Sequence, residues 1–210
     1  MNMRHSWIAA LAAGPVLALL LVPAGAASAG ANAPGTGQVS CPVAGGGTGT
    51  VFPGLSVAGS PGGLKINFQG SFSAGNCASA VTQPPGDQVT GGTFSGGGYY
   101  TGAMASSCAN FHGADVVGRI AVTINWITTG APIAPTTIVY QNNPGTVSGT
   151  TIITLTAAPP GTAMKTGSFS APGTPRFTQL KTNLPSPGPT CPAAPSMSMP
   201  FTITGGQIKV

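Results

Sequence analysis

The sequence predicts an all-β protein, an antiparallel β-sandwich or barrel of about ten strands joined by two disulfides. Three observations favour this class. Short segments alternate large apolar residues with polar ones, clusters of Gly and Pro separate those segments, and the chain has 4 cysteines. Gly and Pro supply 33 and 21 of the 210 residues, and no window beyond residue 30 has a helical period.

The first segment has the pattern of a secretory signal peptide. Arg4 gives a positive start, residues 8–22 form an apolar run, and an Ala-Ser-Ala sequence at 27–29 places small residues before a cleavage point. A membrane anchor is the alternative, but it needs about 20 uninterrupted apolar residues, and a Gly-Pro pair breaks this run. The sequence therefore predicts export, with the mature protein extracellular or associated with the cell wall.

The predicted cleavage divides the chain into three segments. Residues 1–29 form the signal peptide, residues 30–36 a flexible lead, and residues 37–210 a single all-β domain. Cys41 stands too far from the apolar run to carry a lipoprotein anchor, and no second apolar stretch of spanning length follows. We expect no membrane anchor after cleavage.

Three segments show the clearest strand alternation, with large apolar side chains on one face and polar or small ones on the other. Their apolar members are Leu64, Ile66 and Phe68; Ile120, Val122, Ile124 and Trp126; and Met197, Met199, Phe201 and Ile203. Weaker strand candidates are Gly49–Phe52, Gln88–Phe94, Tyr99–Ala103, Thr136–Tyr140, Thr151–Thr156, Met164–Phe169 and Gln207–Val210.

Gly and Pro clusters mark the reversals between strands, because Pro restricts φ and Gly accepts positive φ. Two glycine triplets, Gly45–Gly47 and Gly96–Gly98, are interpreted as flexible turns, since neither has the Lys and the following helix of a phosphate-binding loop. Residues 185–195 form a long Pro-rich loop that Cys191 is expected to hold.

The cysteines, Cys41, Cys77, Cys108 and Cys191, are too far apart in the sequence for a zinc site and suit an oxidising compartment. Three pairings are open. We favour Cys77–Cys108, which would join neighbouring strands, and Cys41–Cys191, which would tie the two ends of the domain together.

Few residues are available for catalysis. The predicted mature chain has one histidine, His112, and two carboxylates, Asp87 and Asp115. A glycosidase with paired carboxylates is disfavoured, because Asp87 lies in a Pro-Gly turn. A serine hydrolase that uses His112 and Asp115 stays open, although no Gly-x-Ser-x-Gly elbow occurs. We expect no metal and no cofactor, since too few ligands are available.

Charge is scarce throughout the chain. The 7 Lys or Arg and 2 acidic residues make up 4% of the sequence, whereas about a quarter of an ordinary soluble domain is charged. The cations are scattered rather than grouped, so nucleic acid is not an expected partner. If residues 99–103 form a strand, one ring of the Tyr99-Tyr100 pair must point outward. We interpret Tyr99, Tyr100 and His112 as candidate ligand contacts and expect Trp126 in the core.

A short pattern of Gly, Ser or Thr, Phe, Ser and a small residue occurs three times, in Gly70–Ala74, Gly92–Gly96 and Gly167–Ala171. Either each Phe contacts a ligand at a strand edge, or each is the buried residue of a strand end. We favour the second interpretation. The uneven spacing of the copies excludes a solenoid.

The signal peptide, the bias towards Ala, Gly, Thr and Pro, and the succession of Leu64–Phe68, Cys77, a Gly-rich strand, Cys108 and a strand ending in Trp126 resemble a known group of proteins. These are the small secreted β-proteins of unknown function of high-GC Gram-positive (actinobacterial) bacteria. The resemblance covers about residues 50–170, implies a secreted β-sandwich, and brings no active-site residue.

The function expected from the sequence is that of a non-enzymatic secreted module. Its expected partner is a glycan, a cell-wall polymer or another secreted protein, which strand edges and loops would contact. The serine hydrolase with His112 and Asp115 is the alternative.

Overall fold

The computed structural model describes residues 32–44, 46–72, 77–81, 88–102, 104–111, 117–143, 146–148, 152–156, 163–171, 177–185 and 188–210. All of them belong to the compact unit Ala31–Val210. The predicted signal peptide lies outside the described residues. Within the described ranges, no helix is long and apolar enough to cross a membrane.

The described part of the chain is mostly β-strand. It contains β1 Gly37–Val43, β2 Gly47–Phe52, β3 Leu64–Phe72, β4 Ala78–Val81, β5 Val89–Thr101, α1 Cys108–Phe111, β6 Val117–Thr128, β7 Thr136–Asn143, β8 Thr146–Ser148, β9 Ile152–Thr156, β10 Ala163–Gly167, β11 Phe177–Thr182 and β12 Met199–Lys209. Every pairing between these strands is antiparallel. The predicted all-β class and antiparallel pairing are therefore confirmed.

The strands form one curled sheet. Its order is β10-β7-β6-β5-β3-β2-β12-β11-β9-β8, and β1 pairs with both β12 and β4. Because β12 pairs with β2 through Met199–Ile203 and with β1 through Gly206–Lys209, β2 and β1 lie end to end along β12. The curl brings strands that are not neighbours together across the interior, where the hydroxyls of Tyr140 on β7 and Thr178 on β11 lie 3.0 Å apart.

The alternation predicted for β3 is present in the structure. Leu64, Ile66 and Phe68 are buried, while Lys65 and Asn67 are exposed. The apolar residues predicted on β6 are buried in the same way, and they include Trp126, which was expected in the core. One face of these strands therefore packs in the core, and the other faces solvent.

The third predicted strand starts later than expected. β12 begins at Met199, and the side chain of Met197 is 94% exposed. The hydroxyl of Ser196 donates to the carbonyl of Ser198 at 2.8 Å, which turns the chain before β12. The alternation pattern does not predict β1, β4, β8 and β11. In β1 and β11 the buried positions include small or polar residues such as Cys41 and Thr178.

The interpretation of Gly96–Gly98 as a flexible turn is wrong, because these glycines lie within β5. The reason is on the neighbouring strand. Phe68 of β3 pairs directly with Gly96, and a Cβ at Gly96 would lie 2.4 Å from the Phe68 ring. Phe201 of β12 covers Gly49 of β2 in the same way. The glycines therefore leave room for interior aromatic rings that lie across the adjacent strand.

The repeated Gly-Phe pattern has the same structural cause. Gly70 pairs with Phe94 and Phe72 pairs with Gly92, so the first two copies face each other on β3 and β5. Phe169 of the third copy lies in a turn after β10, with a φ of 57°. All three rings are buried, which supports the packing interpretation rather than contact with a ligand.

Hydrogen bonds hold part of the segment 30–36, which the sequence predicts to be a flexible lead. The N–H of Gly35 donates to the Ser168 hydroxyl at 2.8 Å, and the N–H of Phe169 donates to the Gly35 carbonyl at 2.6 Å. The N–H of Ala134 donates to the Ala33 carbonyl at 3.1 Å. These bonds connect residues 33–35 to the segment before β7 and to the turn after β10.

Two disulfides are present, but the favoured pairing is wrong. Cys41 is bonded to Cys77, and Cys108 is bonded to Cys191. Because β1 pairs with β4, Cys41 lies beside Cys77, the residue that precedes β4. Cys108, the first residue of α1, is bonded to the long Pro-rich loop, which confirms that Cys191 holds this loop.

Candidate functional site

The structure places the two tyrosines predicted as ligand contacts on opposite faces of β5. Consecutive residues of β5 point to opposite faces, so Tyr99 is 47% exposed while Tyr100 is 1% exposed and lies in the core. His112, Asp115 and Asp87 lie outside the described residues. Tyr99 is therefore the one of these candidates that the described structure presents to solvent.

The hydroxyl of Tyr100 is buried and has no hydrogen-bond partner among the described residues. Its ring packs edge-on against Phe111, with the ring centroids 5.6 Å apart. Burial raises the pKa of this hydroxyl above its ordinary value of 10.0. The folded state therefore disfavours the ionised form.

Replacing Tyr100 by Phe should stabilise the protein by about 1 kcal/mol at neutral pH, because it removes a buried unpaired hydroxyl. The pKa of Tyr100 is higher in the folded than in the unfolded chain. Its ionisation therefore does not affect the free energy of unfolding below pH 10, and the free energy of unfolding declines as pH rises above that value. Urea unfolding of Tyr100→Phe at pH 7 and pH 11 measures both effects. A variant that is less stable than the parent at both pH values would contradict the prediction.

Residues that pair across the sheet form rows on its outer face. Neighbouring strands are about 4.8 Å apart, so paired side chains on one face lie next to each other. In the central row, Ser95, Gln69, Thr48 and Thr202 follow one another on β5, β3, β2 and β12. All four side chains are exposed.

The rows on either side are also uncharged. Asn67 of β3 pairs with Thr50 of β2, and Pro200 of β12 follows on the same side. On the other side of the central row, Thr93 of β5 pairs with Asn125 of β6. Three adjacent rows on the outer face therefore carry hydroxyl and amide groups.

Two cavities lie along these rows. Their volumes are about 540 and 460 Å³, and both are lined by Thr48 and Gln69, so the two cavities adjoin at this pair. We call the two adjoining cavities together the polar groove. Its polar side chains are Thr48, Thr50, Asn67, Gln69, Thr93, Ser95, Asn125, Asn183 and Thr202.

The two amides on β3 are central to the polar groove. Asn183, at the edge of the groove, already has a partner within the protein, because its side-chain oxygen accepts a hydrogen bond from the N–H of Thr202 at 2.7 Å. By contrast, no hydrogen bond joins the side chain of Asn67 or Gln69 to another described residue. The side chain of Asn67 lies over Gly97 of the neighbouring strand, because a Cβ added to Gly97 would come within 2.4 Å of the Oδ1 atom of Asn67. These amides can therefore donate to and accept from a ligand.

A fourth row borders the polar groove. Phe52, Lys65, Tyr99 and Arg119 pair successively across β2, β3, β5 and β6. All four side chains are exposed, and Phe52 is 40% exposed although it is a large apolar residue. We call this set the cation–aromatic row. Lys65 and Tyr99 lie two residues from Asn67 and Gly97 on the same strands, about 7 Å along the sheet from the groove.

The polar groove can bind uncharged polar groups, because hydroxyls and amides both donate and accept hydrogen bonds. No acid or base is among its side chains. Within the described ranges, no group of three or more His, Cys, Asp or Glu residues is placed to hold a metal ion.

Sequence reasoning identified Tyr99 and missed the other members of both sets. The alternation of β3 indicates that Lys65, Asn67 and Gln69 point outward. It does not indicate which residues of β2, β5 and β12 lie beside them, because that depends on the register of the sheet.

No protein-family model, curated protein or solved structure matches the chain. No site residue is therefore transferred from another protein. Function has to be inferred from the chemistry of the outer face.

Proposed function

We propose that this chain is an exported, non-enzymatic binding module built on a β-sandwich, and that its polar groove binds a glycan chain. The contact between Tyr140 of β7 and Thr178 of β11 across the interior supports the sandwich. The signal-peptide pattern of residues 1–29 and the two disulfides support export.

The observation that carries the glycan proposal is the combination of length and polarity in the groove. It crosses β6, β5, β3, β2 and β12, which at about 4.8 Å per strand spacing is about 20 Å. Hydroxyl and amide side chains line this length on a rigid sheet, so they keep their spacing when a ligand binds. A glycan presents a row of hydroxyl groups of the same hydrogen-bonding character.

The non-enzymatic part of the proposal rests on the same side chains. Bond cleavage in a glycan requires a positioned acid with a base or nucleophile. The polar side chains that line the groove are those of Thr, Ser, Asn and Gln. Binding and orientation of a polymer need no more than these groups.

Replacing Asn67 and Gln69 together by Ala should weaken binding about thirtyfold, because two lost hydrogen bonds at about 1 kcal/mol each make about 2 kcal/mol. The measurement is retention of the purified protein on purified bacterial cell walls and on chitin, read as the bound fraction against polymer concentration. The free energy of unfolding should change by less than about 0.5 kcal/mol, since both side chains are exposed.

The matched control replaces two exposed amides outside the groove, Gln38 and Gln88, by Ala. It should bind as the parent protein does. If the parent protein is not retained on any glycan at low salt, or if both double variants bind equally, the groove is not a glycan site.

A further inference from the structure

We infer that the cation–aromatic row binds the anionic groups of a polymer that also contains rings. The preferred ligand is therefore a polysaccharide that carries carboxylate groups. This inference rests on the proposed function, because it assigns a charge and a ring structure to the glycan that the polar groove would hold. The row consists of Phe52, Lys65, Tyr99 and Arg119, in that order across four adjacent strands.

The order of the row alternates stacking surfaces with positive charges. Phe52 and Tyr99 each present an exposed ring, and Lys65 lies between them on the intervening strand. Tyr99 in turn lies between Lys65 and Arg119. The two cations are two strand spacings apart, which is about 10 Å, and the two rings are separated by the same distance.

The charges of the row have no negative counterpart on the described sheet. No Asp or Glu occurs among the described residues, so neither Lys65 nor Arg119 has a carboxylate side chain beside it there. A planar guanidinium accommodates carboxylate oxygens with two parallel hydrogen bonds, and an ammonium adds a second point of attraction. An anionic ligand is therefore complementary to this edge of the groove.

The rings distinguish among anionic polymers. The exposed ring of Phe52 gives an apolar surface beside the polar groove that a ligand can cover. A sugar ring has an apolar face that can lie on such a side chain, whereas a chain of phosphates has none. A carboxylated polysaccharide uses both the rings and the cations, so we assign the row to that class.

The test compares three polymers of defined chemistry. Polygalacturonate has rings and carboxylates, its methyl ester has the same rings without charge, and polyphosphate has charge without rings. We expect the parent protein to bind polygalacturonate at least about tenfold more tightly than either of the others, measured by affinity electrophoresis or calorimetry at fixed low salt.

Two variants separate the contributions of charge and ring. Lys65→Gln with Arg119→Gln should weaken binding to polygalacturonate about tenfold and flatten its salt dependence, with no change for the methyl ester. Tyr99→Ala should weaken binding to both polysaccharides. The control with matched charge is Lys181→Gln with Lys209→Gln, which removes two exposed cations outside the row and should behave as the parent protein.

Equal affinity for polygalacturonate and its methyl ester would overturn the inference, and so would equal affinity for polyphosphate or an equal effect of the two cation pairs. No binding to any of the three polymers would overturn it as well. None of these results decides the proposed function, which depends on the separate effect of the Asn67 and Gln69 replacements on retention by cell walls and chitin.

Discussion

Replacing Cys108 and Cys191 together by Ala is expected to lower the free energy of unfolding by about 4–5 kcal/mol. The two cysteines are separated by 83 residues, and breaking a cross-link over a loop of that length restores much conformational entropy to the unfolded chain. Both side chains are buried, so the replacement also leaves a gap in the core. Urea unfolding followed by tryptophan fluorescence measures the loss.

The loop that Cys191 holds should respond locally as well. The N–H of Val57 donates to the Pro192 carbonyl at 2.7 Å, and the N–H of Gly54 donates to the Ser196 carbonyl at 3.0 Å. In the Cys108→Ala and Cys191→Ala double variant these two amides should exchange hydrogen faster, because the loop is no longer tied to α1.

The other disulfide provides the control. Replacing Cys41 and Cys77 by Ala, over a separation of 36 residues, should cost about 4 kcal/mol without selectively exposing the amides of Gly54 and Val57. A peptide map of the unreduced protein that links Cys77 to Cys108 would contradict the pairing. If the Cys108 and Cys191 replacement lowers the free energy of unfolding by less than about 1 kcal/mol, the backbone hydrogen bonds of the loop hold it in place without the disulfide.

Replacing Gly49 by Ala is expected to destabilise the protein by about 3 kcal/mol, the upper end of the usual cost of overpacking a core. A Cβ at this position would lie 2.1 Å from the Phe201 ring and 2.6 Å from the Asn67 carbonyl oxygen. Gly49 pairs with Phe201 on one side and with Phe68 on the other, so neither ring can move aside without displacing a neighbour. Urea unfolding provides the measurement.

Gly205 on β12 is the matched control. A Cβ there would meet its nearest atom, the Val43 carbonyl oxygen, at 3.5 Å, so Gly205→Ala should change stability by less than about 0.5 kcal/mol. Adding Phe201→Leu to Gly49→Ala should recover about 1 kcal/mol, because it shortens the side chain that the new methyl group meets. If the two glycine variants are equally stable, the rings do not require glycine beneath them.

Much of the fold follows from the sequence because local alternation sets which face of a strand is buried. Ile66 and Phe68 of β3 are buried as predicted, and so are the four large apolar residues of β6, Ile120, Val122, Ile124 and Trp126. The glycine triplet of β5 was misassigned, because a glycine within a strand and a glycine in a turn have the same local signal. The reason for glycine within β5 is the Phe68 ring, which lies over Gly96 and belongs to another strand, so it has no local signal in the sequence.

Part of the candidate site also follows from local pattern. The prediction that one ring of the Tyr99-Tyr100 pair points outward is confirmed, and the outward ring is that of Tyr99. That Asn67 and Gln69 face a groove could not be predicted, since the opposite wall comes from β2 and β12, and β12 lies more than one hundred residues further along the chain.

The sequence by itself determined the strand-rich class, the outward position of the Lys65, Asn67 and Gln69 side chains, and the scarcity of charge on the described surface. Each of these depends only on residue type and on the two-residue period of a strand. The tertiary structure alone decided the disulfide partners, the pairing of glycines with aromatic rings, and the alignment of Phe52, Lys65, Tyr99 and Arg119. The physical reason is that each of these depends on strand order and register, which long-range packing selects among many arrangements of the same local pattern.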